Sequence, residues 1–231
     1  MQQIKAVLWD VDGTLLDFHE SEVFSLKTCF ALHQLGDFTD EMLREYRKIN
    51  RRLWRLLEEG RAERREVLEG RFEKLFSLYG LDTSVADRFN ADYQIHLSDR
   101  IFFFPKAQET LELLRAKGIR QYAVTNGTAA AQRPKLAKSG LDRVFDAVFI
   151  SEEMGAEKPA AEFFDKVFEQ IGDFAPHELL IVGDSLTSDI RGGNNAGLVT
   201  CWFNPDGKVA DADVRIDHEI RALDEVAGIL G

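Results

Sequence analysis

Asp10 and Asp12 stand two residues apart where an apolar run stops, in AVLWDVDGTLLD, residues 6–17. In extended chain the side-chain period is two, so both carboxylates are expected on one side. Like charges that close disfavour each other's ionisation. Asp184 also ends an apolar run, and Asp189 follows it at about one helical turn. If these groups converge they need a countercharge. Mg2+ supplies one, since it takes one or two carboxylates, several waters and a substrate phosphate. Asp10, Asp12, Asp184 and Asp189 are therefore the candidate metal ligands. An acidic turn explains Asp10 and Asp12 taken alone, and a helix N-cap explains Asp184 taken alone; together they favour a metal. A calcium loop starting at Asp10 fails, because its sixth position needs glycine and here is Leu15.

Two further strand ends carry groups suited to an anion. VTNG places the Thr125 hydroxyl, the Asn126 amide and the Gly127 backbone N–H at the start of a helix, where N–H groups bind phosphate. By itself this string also reads as a plain strand–turn–helix cap. Lys158 precedes Pro159, which biases it to extended geometry on a loop. It is the cation placed to balance a phosphate beside carboxylates. An acidic pair, a hydroxyl with backbone donors, a lysine and a further acidic group make the kit for phosphoryl transfer through an aspartyl-phosphate. Asp10, Asp12, Thr125 and Lys158 are its candidate catalytic residues.

These groups need a scaffold that brings distant strand ends together. The near-continuous apolar runs at 4–10, 119–126, 144–151, 178–184 and 198–204 predict buried strands. Helical patterns fall at about 106–117, 128–138, 160–171 and 187–196, with Gly118, Gly140, Gly172 and Gly197 as stops. The alternation predicts an α/β fold, a doubly wound parallel sheet. Ligands bind beyond the carboxyl ends of such strands. From 18 to 100 the chain reads instead as successive amphipathic helices, one beginning at Thr39-Asp40-Glu41. The expected organisation is a core of 1–17 and 101–231 with an inserted helical subdomain of 18–100. A short strand at Val214–Ile216 and a last helix should close the chain.

The chain has 231 residues and a formal charge of −11, which argues against a grip on nucleic-acid polymer. Cys29 and Cys201 form no metal or disulfide pattern. No apolar segment nears the ~20 residues of a membrane span. The expectation is a cytoplasmic protein, a monomer or small homo-oligomer, acting on a small phosphorylated metabolite.

Asp10, Asp12 and Thr14 meet the D-x-D-x-T pattern of the haloacid-dehalogenase superfamily, which the sequence therefore resembles. Thr125, Lys158 and the group Gly183, Asp184 and Asp189 match its other three motifs in order. The resemblance implies Asp10 as nucleophile and Asp12 as the group that protonates the leaving oxygen and later activates water. It implies Thr125 and Lys158 on the phosphoryl group, and Mg2+ on Asp10, the Asp12 backbone carbonyl and Asp184, with Asp189 near. Dehalogenases lack the second aspartate, so Asp12 favours a phosphatase. INRRLW (49–54), EGRFEKLF (69–76), FISEEMGAEKP (149–159) and DIRGGNNAGLVTCWFN (189–204) are similar to the pyrimidine nucleoside-5′-monophosphatase branch. That likeness makes the helical insertion a cap, with Asn50, Trp54, Arg71 and Phe72 as candidates on its substrate side. Cap packing competes for Trp54 and Phe72, and a surface or structural ion pair for Arg71. The alternatives are a phosphatase or phosphomutase for a sugar phosphate, and a receiver-like module that is phosphorylated without turnover.

Overall fold

The computed structural model describes residues 4–172, 174–210 and 212–230. The chain forms two compact units: one runs to Phe18 and resumes at Ile101, and the other is His19–Arg100. After strand β1 (Ala6–Trp9) come five helices: α1 (Phe18–Leu32), α2 (Asp40–Glu58), α3 (Arg64–Leu68), α4 (Gly70–Tyr79) and α5 (Ala86–His96). The Thr39 hydroxyl caps α2 by accepting from the Met42 N–H at 3.2 Å. Asp40 and Glu41 sit in the first turn, where the helix dipole favours negative charge. Aromatic rings hold this unit together. Phe30, Tyr46, Phe72, Phe76, Phe89 and Tyr93 are buried, with ring centroids as close as 4.7 Å for Phe72 and Phe89. Such pairs contribute roughly 0.5–1.5 kcal/mol each beyond their buried area.

The other unit continues with α6 (Ala107–Ala116), β2 (Arg120–Thr125), α7 (Ala129–Ser139), β3 (Ala147–Ile150), α8 (Ser151–Met154), α9 (Ala161–Ile171) and β4 (Leu179–Gly183). A π-helical turn at Leu186–Ile190 runs into α10 (Arg191–Asn195), followed by β5 (Val199–Phe203), β6 (His218–Ile220) and α11 (Val226–Ile229). The six strands form one sheet in the order β3-β2-β1-β4-β5-β6, and every pair is parallel. The doubly wound α/β fold with an inserted all-helical segment is the expected one. The continuous apolar strands are explained by two faces that both pack. Val7, Trp9, Leu180 and Val182 face Leu111, Leu114, Leu136 and Val226. Ala6, Leu8, Leu179 and Ile181 face Phe163, Phe164 and Val167. Successive residues of one strand thus serve opposite cores.

The structure departs from expectation at one edge. Val214–Ile216 is not a strand; the edge strand is His218–Ile220, of which Ile220 alone is buried. Val214 and Ile216 pack instead, half-buried, against Leu186, Ile190 and Trp202. The run expected to stay extended over 144–151 pairs only over Ala147–Ile150 and turns helical at Ser151. Where the chain leaves and re-enters this unit, the Asp17 N–H donates to the Phe102 carbonyl at 2.8 Å and the Phe104 N–H to the Leu15 carbonyl at 3.0 Å.

Candidate active site

β1 lies at the centre of the sheet, with Trp9 level with Ala123 of β2 and Val182 of β4. Connections run outward from β1 through β2 to β3, then return to β4, so the switch point falls at the carboxyl ends of β1 and β4. Asp10 emerges there, its N–H donating to the Val182 carbonyl at 2.9 Å. Its side chain is buried and both oxygens are held. Oδ1 accepts from Lys158 Nζ at 2.9 Å, and Oδ2 accepts from the Thr14 hydroxyl at 3.0 Å. The same hydroxyl accepts from the Asp184 N–H at 3.1 Å, tying the ends of β1 and β4.

Lys158 is 1% exposed and directs its ammonium to three acceptors: Asp10, Asp189 Oδ1 at 2.6 Å and the Val124 carbonyl at 2.7 Å. An ammonium has three N–H donors, so each is matched. The loop carrying it is pinned by Asn126. The Asn126 amide oxygen accepts from the Lys158 N–H at 2.9 Å, and its nitrogen donates to the Lys158 carbonyl at 2.7 Å. Asn126 was expected to face a substrate; both ends of its amide are instead engaged with backbone, because the Lys158 loop needs an anchor at β2. Thr125, buried, ends β2 beside Ile150.

Asp10, Asp184 and Asp189 each bring one carboxylate oxygen within 4.8 Å of the others. Two glycines make room for this. Gly13 has φ +92°, and a Cβ there would lie 2.8 Å from both Asp184 oxygens; Gly13 thus supplies a left-handed turn and space at once. At Gly183 a Cβ would collide with the Asp189 carboxylate. The helical turn after β4 is capped by Ser185, whose hydroxyl accepts from the Ser188 N–H at 3.1 Å. Asp184 is therefore not the cap, and its carboxylate remains with the cluster.

The electrostatics are those of crowded acids. Asp10 is pushed up from 3.8 to about 7, first by burial; Lys158 opposes this, and Asp189 and Asp12 add to it. Asp184 is held well above the usual carboxylate range by partial withdrawal from water and by Asp10 and Asp189. It remains exposed at the surface, so the two like charges are the causes to weigh most. Burial disfavours the Lys158 ammonium, but Asp10 and Asp189 outweigh it and raise its pKa above the ordinary lysine value. Three carboxylates thus face one ammonium, and all the remaining donors are hard oxygens. That set fits Mg2+.

The strand ends at Trp9, and Asp12, expected among the metal ligands, is not one of the three clustered carboxylates. Its carboxylate accepts from Lys135 Nζ at 2.6 and 2.7 Å and from Gln132 Nε2 at 2.7 Å, both on α7. Of Asp12, only the backbone is left to serve a metal. Gly127 has a spatial role as well: a Cβ would stand 2.7 Å from Gln132 Nε2. Lys135 and Gln132 were not foreseen; the signal was a polar residue pair spaced i, i+3 on the helix after VTNG, sharing a face with buried Leu136.

In the helical unit, Arg71 is 3% exposed. Its guanidinium donates to Asn50 Oδ1 at 3.3 Å and Asn90 Oδ1 at 2.9 Å, with the Phe72 and Tyr93 rings each 5.0 Å away. It is neither a surface group nor, among the described residues, in an ion pair. Phe72 is wholly buried in the aromatic core, not on a substrate side. Trp54 packs, half-buried, with Leu53, Leu57 and Val67.

The chain as a whole is similar to known proteins. Residues 4–197 match the profile of haloacid dehalogenase-like hydrolases. A crystal structure of the HAD-hydrolase YfnB from Bacillus subtilis, bound to magnesium, superposes with a TM-score of 0.92 at 38% identity, covering 99% of both chains. The pyrimidine 5′-nucleotidase PynA of Streptococcus pneumoniae is 38% identical over 87% of this chain and 84% of its own. The pyrimidine 5′-nucleotidase YjjG of Escherichia coli is 31% identical over 94% and 96%. Profile, full-length relatives and superposition agree with the strand-end chemistry: the chain belongs to the haloacid dehalogenase-like hydrolase family and is a hydrolase.

Proposed function

We propose that this hydrolase is a Mg2+-dependent phosphomonoesterase that works through an aspartyl-phosphate and acts on pyrimidine nucleoside 5′-monophosphates. The observation that carries the chemistry is the Asp10 carboxylate, fixed by Lys158 at 2.9 Å and Thr14 at 3.0 Å beside Asp184 and Asp189. A carboxylate so oriented attacks phosphorus with little loss of freedom at the moment of reaction. Asp10, Asp184 and the Asp12 backbone carbonyl would hold the metal, with Asp189 beside them; a Mg2+ there would neutralise charge so that an anionic nucleophile can meet an anionic substrate.

The roles of the protein groups follow. Asp10 forms the new bond to phosphorus as the ester oxygen leaves. Asp12 gives that oxygen a proton and then takes one from the water that cleaves the aspartyl-phosphate, a general acid and base in turn. Thr125 and the Gly127 N–H hold the phosphoryl oxygens, and the Lys158 charge beside Asp10 offsets the negative charge that develops on them. The helical unit serves as the lid that excludes water and reads the nucleoside. Asn50 is its proposed reader: Arg71 occupies the Asn50 amide oxygen, which leaves the amide nitrogen as the donor for a base carbonyl. Arg71 acts behind it, and Trp54 contributes packing.

The pyrimidine preference is supported by the two nucleotidases similar to the chain. The test is turnover of a panel of nucleoside monophosphates and sugar phosphates with and without Mg2+. Hydrolysis of pyrimidine nucleotides above all others, lost on chelation, is the expected result. Turnover of sugar phosphates alone removes the nucleotidase reading, and turnover by Asp10→Asn removes the aspartyl-phosphate. No helix among the described residues is long and apolar enough to cross a membrane, which suits a diffusible cytoplasmic substrate.

A further inference from the structure

Lys135 is 2% exposed, and its ammonium meets the two oxygens of Asp12 at 2.6 and 2.7 Å. The Phe18 ring lies 5.3 Å from the same nitrogen. Gln132, also 2% exposed, donates to Asp12 Oδ2 at 2.7 Å from one turn earlier on α7. The Gln132 side chain crosses Gly127 so closely that a Cβ there would meet it at 2.7 Å. The start of α7 is fixed by Thr128, whose hydroxyl accepts from the Ala131 N–H at 3.2 Å. A buried lysine is costly without a partner, and a buried ion pair is often no more stable than apolar packing. Fold stability alone therefore gives little reason for this clamp.

We propose that Lys135 and Gln132 are positioning residues for the acid–base chemistry of Asp12. They hold its carboxylate out of the Asp10, Asp184 and Asp189 cluster, where a bound cation would capture it, and keep it for the leaving oxygen. Oδ2 receives both Lys135 and Gln132, whereas Oδ1 receives Lys135 alone. Oδ1 is thus the atom that carries the moving proton. As Asp10 bonds to phosphorus and the ester P–O bond breaks, that proton passes from Oδ1 to the departing oxygen. When water attacks phosphorus and the Asp10–P bond breaks, a water proton returns to Oδ1. The inference rests on the aspartyl-phosphate reading above.

The experiment compares kcat/KM, which covers steps through leaving-group departure, for two substrates. One is a nucleoside or sugar monophosphate that the enzyme hydrolyses, whose alkoxide needs a proton. The other is p-nitrophenyl phosphate, whose leaving group does not. General acid catalysis is worth about 10²–10⁴-fold, so Lys135→Met is expected to lower kcat/KM at least ~30-fold for the alkyl ester. The loss for p-nitrophenyl phosphate is expected to be several-fold smaller. Gln132→Leu shows the same pattern at lower amplitude, and it carries the test if Lys135→Met does not fold. Equal losses on both substrates, or no loss on either, overturn the proposal. Asp12→Asn separates the two levels. If it shows the leaving-group pattern and the α7 variants do not, only the positioning role fails; if it does not show it, the mechanism fails first.

Discussion

Two buried cations, Lys158 in the sheet unit and Arg71 in the helical unit, are solvated in opposite ways. Lys158, in the sheet unit, is surrounded by formal charge: Asp10, Asp189 and a carbonyl accept its three N–H groups. Arg71, in the helical unit, is surrounded by dipoles: two asparagine oxygens and the faces of Phe72 and Tyr93. Its Nε finds no hydrogen-bond partner. An ammonium is a compact, strongly hydrated point charge that needs anions when buried, whereas a delocalised guanidinium tolerates amides and rings. The lysine ties two carboxylates to one donor group; the arginine ties two asparagine oxygens together among rings.

The largest test of that contrast is Lys158→Met. In the metal-free protein it leaves Asp10 and Asp189 buried without their shared donor, a loss of about 3–5 kcal/mol, read by urea unfolding. Phosphatase turnover should fall beyond ~10³-fold, in line with the loss of a preorganised charge at the reacting group. Gly13→Ala comes next. Its Cβ would sit 2.8 Å from both Asp184 oxygens at a backbone φ of +92°. Calorimetry should show Mg2+ affinity lowered by roughly tenfold or more, as expected when a ligand carboxylate is displaced. Arg71→Met should cost only about 1–2 kcal/mol, the scale of cation–π and amide contacts. A cost exceeding that of Lys158→Met would invert the comparison.

The smallest effect concerns pH. The folded Asp10 carboxyl is raised from 3.8 to about 7. Between those values the folded state holds a proton that the unfolded state has released. Stability from this group is therefore complete below pH 4 and is lost as pH rises to 7. Metal-free protein should melt a few degrees lower at pH 7.5 than at pH 5.5, with a smaller difference in Mg2+. A melting temperature that rises across that window without metal contradicts the assigned burial of Asp10.

What the sequence disclosed followed from how each group announces itself. Asp10, Thr125 and Asp184 stand where apolar runs stop at strand ends, and a parallel sheet gathers such ends at one edge. β6 left no such trace, since an edge strand with two exposed residues of three has no apolar run. Val214 and Ile216 looked like a strand because they are apolar, but they pack against Trp202 from an irregular segment. Lys135 and Gln132 were illegible because mid-helix polar residues read as solvated face. Their partner is Asp12, over a hundred positions earlier in the chain. Arg71 was read from its charge, whereas its surroundings are set by rings and amides contributed by other helices.

The bridge between Leu16 and Phe103 bears on how such a chain can be varied. The segment between them departs and returns through one antiparallel stitch, held by the Asp17-to-Phe102 and Phe104-to-Leu15 hydrogen bonds. Closing a loop whose ends are already tied adds little entropy however long the loop becomes. The helical segment is in this sense a cassette: a longer, shorter or unrelated insert can be spliced at the stitch without redrawing the sheet. The helical segment can then change without disturbing the residues gathered at the strand ends.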